Sequence, residues 1–369
     1  MGCALLAACA GLASPLVYGA PVNPLAFDRV SLSDGLSQST VLDMHQDGFG
    51  FVWLATENGL NRYDGRTIKT YYRTPGDEGG LGSDYIWAIE EDADGNLWLG
   101  TDDAGLIRWN RQRDVFEPIT LRGLNGKVLT GTRVSDLLVT GEDEVWIATR
   151  TAGVLVISTQ GETLAQYLHD QPSPLGDRLR RVSSLLRSRD GSVWVGTEQG
   201  VHQVSADRST LNSYVLSPQS RPEQAPIDNN ISTLMQDLQG RIWVATFESG
   251  ISRLDPTTGR FTHLTSADSS QPQLAGNRVR AMMQDTDSRI WLGTDNGVTL
   301  LRNDGTAQQI RHEPANPFSL PNDLVMSLMQ DASGLIWIGT RGGGVGVWNP
   351  RSWSMGPRTP EELSGVHVN

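Results

Sequence analysis

The chain is 369 residues long, 38% hydrophobic, and carries 40 glycines and 18 prolines. No long window shows a 3.6-residue apolar period, so helix-rich classes are disfavoured and an all-β fold with many turns is left. A formal charge of −12 argues against nucleic acid or an anionic membrane as the main partner, because both are held chiefly through Lys and Arg.

The first twenty residues stand apart. From Cys3 to Ala20 nothing is charged, Leu and Ala dominate, and Gly19-Ala20-Pro21 offers small residues at which a signal peptidase could cut. Residues 1–20 therefore read as a secretory signal lacking its basic start, with a periplasmic or secreted destination. Leu6-Ala7-Ala8-Cys9 also has the form of a lipoprotein box, so a lipid tether and a cleaved signal both stay open. Cys3 and Cys9 are the only cysteines, which leaves everything downstream without disulfides.

From residue 26 onward one phrase recurs. It begins at Trp53 (WLATENGL), Trp98 (WLGTDDAGL), Trp146 (WIATRTAGV), Trp194 (WVGTEQGV), Trp243 (WVATFESGI), Trp291 (WLGTDNGV) and Trp337 (WIGTRGGGV). The intervals are 45, 48, 48, 49, 48 and 46 residues, a period that predicts a propeller rather than two ordinary domains. Period-2 alternation divides each repeat into four strands. In the second copy these are residues 85–91, 96–101, 105–109 and 115–119, with Asp94-Gly95 as the first hairpin turn. Corresponding inner strands fall near 41–46, 134–139, 182–187, 231–236, 279–284 and 324–330. Outer strands fall near 68–72, 164–167, 211–215, 261–264 and 308–312. The third copy, with Glu142-Asp143, and the sixth, with Asp287-Ser288, lack the glycine and are expected to turn less tightly. The seventh copy lacks an outer strand, whereas Phe27-Asp28-Arg29-Val30 is an outer strand without a blade. A seven-bladed β-propeller of four-stranded blades over residues 26–350, closed by its N-terminal strand, follows, with 351–369 as an irregular tail.

The repeated residues read as scaffold. The seven tryptophans fill the wedges between blades, the Gly or Ala two places on lets the next blade approach, and the following Thr bonds within its turn. The position after that Thr varies: Glu57, Asp102, Arg150, Glu198, Phe247, Asp295 and Arg341. These turns share a face with the links between blades, and so surround the mouth of the central channel. Arg150, Arg341 and Phe247 break the acidic pattern and are the first ligand-binding candidates, with Glu57, Asp102, Glu198 and Asp295 beside them. The bland reading of each is a solvated loop residue in an ordinary surface pair. Long polar links at 74–85, 123–133 and 217–230 add surface that cannot be ranked. No catalytic constellation is found: the six histidines have no metal-ligand spacing, Gly342-Gly343-Gly344 has no following Lys, and no cofactor or metal is expected.

Phe27-Asp28-Arg29-Val30, Ser33-Asp34-Gly35-Leu36-Ser37 and FVWLATENGLNRYDG at 51–65 resemble the opening of the two-component regulator propeller family, whose repeat is similar to D-x-x-G-x-[IVLF]-W-[IVL]-G-T-x-x-G-[IVL]. The third copy, with Glu144 where the turn ends, and the fifth, with Leu238, depart most. The resemblance implies a non-catalytic periplasmic sensor of a small-molecule ligand, an oligosaccharide in some relatives, that signals through a homodimer. It also implies a parent receptor whose output is a histidine kinase or a diguanylate cyclase. Here the sequence holds a single ring, no apolar run of about 18 residues beyond the signal, and no output domain. A fragment of a receptor and a stand-alone secreted propeller are both open. A secreted propeller lyase or hydrolase, or a protein-interaction platform, are the rival functions.

Overall fold

The computed structural model describes residues 25–351 apart from 78, 142, 170–175 and 269–271. The signal and lipoprotein readings, and the tail beyond Arg351, lie outside the described residues. The described chain forms seven four-stranded antiparallel sheets, each in simple meander order except the last. Their inner strands pack side by side in a closed ring, blade 1 against blade 2 and so on to blade 7 against blade 1. This is a seven-bladed β-propeller.

Blade 1 comprises Val41–Gln46, Val52–Thr56, Gly59–Tyr63 and Ile68–Tyr71. The inner strands of blades 2 to 7 are Ile86–Glu91, Val134–Thr140, Val182–Arg187, Ile231–Gln236, Val279–Gln284 and Val325–Gln330. Blade 7 is completed as expected from the other end of the chain: Asp28–Val30 pairs antiparallel with Val345–Trp348, Asp28 opposite Val347 and Val30 opposite Val345. Phe27, just before that strand, is 1% exposed and packs with Val325, Ile338 and Trp348. Pairing removes the edge that an open blade would present to another chain.

The core lies between blades. Seven separate apolar clusters each join one blade's tryptophan to the next blade's inner strand: Trp98 with Val134, Trp194 with Ile231, Trp337 with Val41. Close approach is set by the small residue two places on. A Cβ at Gly293 would lie 2.5 Å from Val325 Cγ1, and one at Gly100 would lie 2.9 Å from the Val134 carbonyl oxygen. Each repeated Thr hydroxyl donates to a carbonyl in its own turn, from Thr56 to Gly59 (2.8 Å) through Thr340 to Gly344 (2.8 Å).

The expectation of looser turns in blades 3 and 6 is corrected. Ser288 donates to the Asp285 carbonyl at 2.9 Å and Asp285 to the Arg289 carbonyl at 2.9 Å, the pair of bonds that closes the Asp47–Phe51 turn of blade 1. In blade 3 the ladder runs on to Thr140 opposite Glu144. Ser288 (φ 65°) and Asp143 (φ 58°) take the left-handed conformation that glycine takes elsewhere. Short polar side chains tolerate it, at a cost, so hairpin geometry overrides the missing glycine.

Candidate functional site

Every inner strand carries a one-residue register shift near its start, between Val41 and Asp43 in blade 1 and at the matching place in the other six. Such a bulge aims successive side chains in directions that strict alternation would not allow. All seven strands thereby line one central cavity of about 220 Å³, with Leu42 and Asp43, Trp87, Ser135 and Asp136, Ser183, Ser232, Arg280 and Met326 among its walls.

Several wall groups hold the ring together. Asp43 accepts from its own neighbour Met44 and from Ile89 of blade 2, both at 2.8 Å. Asp136 repeats this with Leu137 (2.9 Å) and Leu185 of blade 4 (2.7 Å). Ser135, Ser183 and Ser232 each donate to the next blade's carbonyl, at 2.5, 2.6 and 2.5 Å.

The electrostatics are two-sided. Burial, and then the like charges of Asp136 and Asp43, push Glu90 up to about 8. Burial likewise raises Asp136 to about 7 and Asp43 to about 6, despite the backbone N–H groups each accepts. These three acids come from blades 1 to 3. Arg280 comes from blade 6, opposite them in the ring. Burial, and then the like charges of Arg278 and Arg341, hold its guanidinium below the usual range against the pull of Asp295.

At the mouth the seven sequence candidates occupy one rim. In six blades the backbone N–H at that position donates to the carbonyl of the residue just before the inner strand, as Asp102 does to Tyr85 at 3.1 Å. Their side chains are mostly engaged with each other's blades. Asp102 holds Arg133 of blade 3 at 2.5 Å and accepts from Trp87 Nε1 at 2.9 Å, with Arg133 stacked 4.7 Å over the Trp87 ring. Glu57 accepts from Tyr85 (3.3 Å) and Gln38 (3.4 Å). Arg150 and Arg181 both bind Glu198, at 3.2 and 3.3 Å. Asp295 faces Arg278 at 3.9 Å, and Phe247 lies 6.0 Å below the Arg280 guanidinium. Arg341 is exposed and makes no ion pair among the described residues.

Sequence reasoning missed Asp43, Asp136, Trp87 and Arg280, because the bulge that brings them to the channel leaves no mark on the alternation, and it missed Glu90, buried within reach of the Asp43 and Asp136 charges. Three buried polar atoms near the mouth have no protein partner: Gln199 Oε1 in blade 4, Asn230 Oδ1 in blade 5 and Arg280 Nε in blade 6. A larger cleft of about 710 Å³ opens on the flank between blades 5 and 6, lined by Arg241, Arg253 and Arg302. Buried polar groups without a partner cost stability, which marks this side of the ring as the candidate site. Among the described residues no three His, Cys, Asp or Glu side chains converge as a metal's ligands would, and no helix is long and apolar enough to cross a membrane.

The family model described as "Two component regulator propeller" matches residues 80–103, 273–296 and 319–342. Each match runs from the inter-blade link through the inner and second strands to the turn after the repeated Thr, in blades 2, 6 and 7, so the family likeness read from the motif stands. A 44-residue segment is 52% identical to Histidine kinase P4 of Formosa agariphila, covering 12% of this chain and 3% of that protein. The fold is similar to the extracellular domain of a B. thetaiotaomicron protein described as a hybrid two component system, BT3049, with a TM-score of 0.74 and 24% identity. That likeness covers 88% of this chain and 42% of the other. A second B. thetaiotaomicron extracellular domain, from BT4673, matches at a TM-score of 0.67 and 22% identity over 88% and 40%. The chain thus spans about two fifths of the solved domains it resembles and a small part of the kinase.

Proposed function

We propose, with the two component regulator propeller match in blades 2, 6 and 7 as premise, that this chain is a non-catalytic, periplasmic or otherwise extracytoplasmic sensor domain of a two-component or cyclic-di-GMP receptor. The observation that carries the reading is that match, joined by a short segment shared with a histidine kinase. Ligand binds at the channel mouth, on the sector where Phe247, Arg280 and Arg341 meet the unpartnered Gln199 and Asn230. An oligosaccharide suits it: hydroxyls satisfy both donors and acceptors, and a sugar ring's apolar face lies against Phe247.

Residues 25–351 titrated calorimetrically with oligosaccharides should show saturable binding, with the sugar recovered intact. Arg280→Met should weaken binding by about tenfold or more, since a buried charged hydrogen bond is worth about 1.5–3 kcal/mol. Cleaved or unsaturated products would favour the lyase or hydrolase reading. No binding to any glycan, with capture of a protein partner, would favour an interaction platform.

A further inference from the structure

The six other blade tryptophans use the indole N–H in one way. Each donates to the side chain six residues earlier, at the head of the first hairpin turn: Trp53 to Asp47 (2.8 Å), Trp98 to Asp92 (3.0 Å), Trp194 to Ser188 (3.2 Å), Trp243 to Asp237, Trp291 to Asp285 and Trp337 to Asp331 (each 2.8 Å). In blade 3 that position is Thr140. Trp146 is 2% exposed and Thr140 6%, yet Trp146 Nε1 and Thr140 Oγ1 both lack a partner.

Trp146 and Thr140 both line a cavity of about 180 Å³ between blades 3 and 4, whose wall also includes Arg187 and Arg208. Liquid water occupies about 30 Å³ per molecule, so the space exceeds what one bridging water needs. The junction of blades 1 and 2 shows what the arrangement accepts when complete. There Trp53 Nε1 and Arg111 of the next blade converge on the Asp47 carboxylate, at 2.8 and 2.7 Å. At the junction of blades 3 and 4 the indole and the next blade's arginine are again together, Arg208 lying 5.3 Å over the Trp146 ring, but no carboxylate stands between them. Arg208 is bonded to Glu144, which neutralises it. Arg187 on the rim makes no ion pair to a described residue and supplies a net positive charge.

We propose that this cavity is a carboxylate-binding site, in which the carboxyl group of a small ligand takes the place that the hairpin aspartate holds in five other blades. One oxygen accepts from Trp146 Nε1, the other from Thr140 Oγ1, and Arg187 screens the charge at the entrance. The site lies on the hairpin face, away from the channel mouth, and is independent of what binds there. The ligand is either a free short-chain carboxylate or the carboxyl group of an acidic sugar.

The test follows the seven blade indoles by ¹⁵N–¹H correlation on tryptophan-labelled protein, with the Trp146 resonance assigned by Trp146→Phe. Sodium acetate and sodium glucuronate are titrated at constant ionic strength, with acetamide and glucose as neutral counterparts. A saturable downfield shift of the Trp146 N–H alone is expected with acetate, glucuronate or both, which separates the two sources, and none with the neutral analogues. Thr140→Asp, which installs the carboxylate of the other blades, should abolish the response without lowering the melting temperature. Arg187→Ala, an exposed change that leaves the core untouched, should weaken it several-fold. An unmoved Trp146 resonance would mean that the cavity holds water only and would overturn the proposal. So would an equal response to acetamide, or an undiminished response in folded Thr140→Asp.

Discussion

Asp43 and Asp136 bring carboxyl groups to the channel wall, Glu90 lies buried within reach of their charges, and the proton affinities of all three are raised together. For an acid whose folded-state value exceeds its ordinary one, the folded protein binds the proton more tightly. Stability is then greatest at low pH and is lost as pH rises through the window. For Glu90 that window runs from its ordinary 4.5 to about 8, with a slope of up to roughly 1.4 kcal/mol per pH unit for one group. Glu90→Gln should flatten the loss across this range, read as denaturant midpoints from pH 5 to 9; an unchanged slope would place the titration elsewhere. Ser288 offers a second residue-scale outcome. Its left-handed backbone (φ 65°) suits glycine, so Ser288→Gly should raise stability by up to about 1 kcal/mol in urea melts.

At the scale of strands and blades, the repeat was legible because its period, its Trp-x-Gly/Ala-Thr phrase and its hairpin turns each follow from one packing unit used seven times. The strand Asp28–Val30 was legible by subtraction, since one blade was a strand short. What did not show was whatever the structure does out of register. The bulge near each inner-strand start carries Asp43, Trp87, Asp136 and Arg280 to the channel, and alternation cannot reveal it. The rim candidates were found, but the ion pairs that tie Asp102 to Arg133 and Glu198 to Arg150 join residues 31 and 48 places apart, across blade boundaries. Phe27→Ala, which empties a pocket at the closing strand, should cost about 3–5 kcal/mol in denaturant unfolding. Gly293→Ala, whose Cβ meets Val325, should cost about 1–3 kcal/mol through overpacking between blades 6 and 7. A neutral result at either would deny those contacts their role in closure.

For the molecule as a whole, seven tryptophan-filled wedges make a rigid ring that leaves its chemistry to the residues in which the blades differ. Acids from blades 1 and 3 and Arg280 from blade 6 line the channel, while polar groups near the mouth stand buried and unpartnered. The proposed sensing role requires a ring that takes a ligand at its mouth without rearranging its core. The most direct measurement is calorimetric titration of residues 25–351 with a panel of neutral oligosaccharides, run in parallel on Arg280→Met and on Arg187→Ala. Saturable binding that Arg280→Met weakens by about tenfold and Arg187→Ala leaves unchanged is the predicted result. Binding indifferent to Arg280, or sugar consumed during the titration, would contradict a sensing mouth.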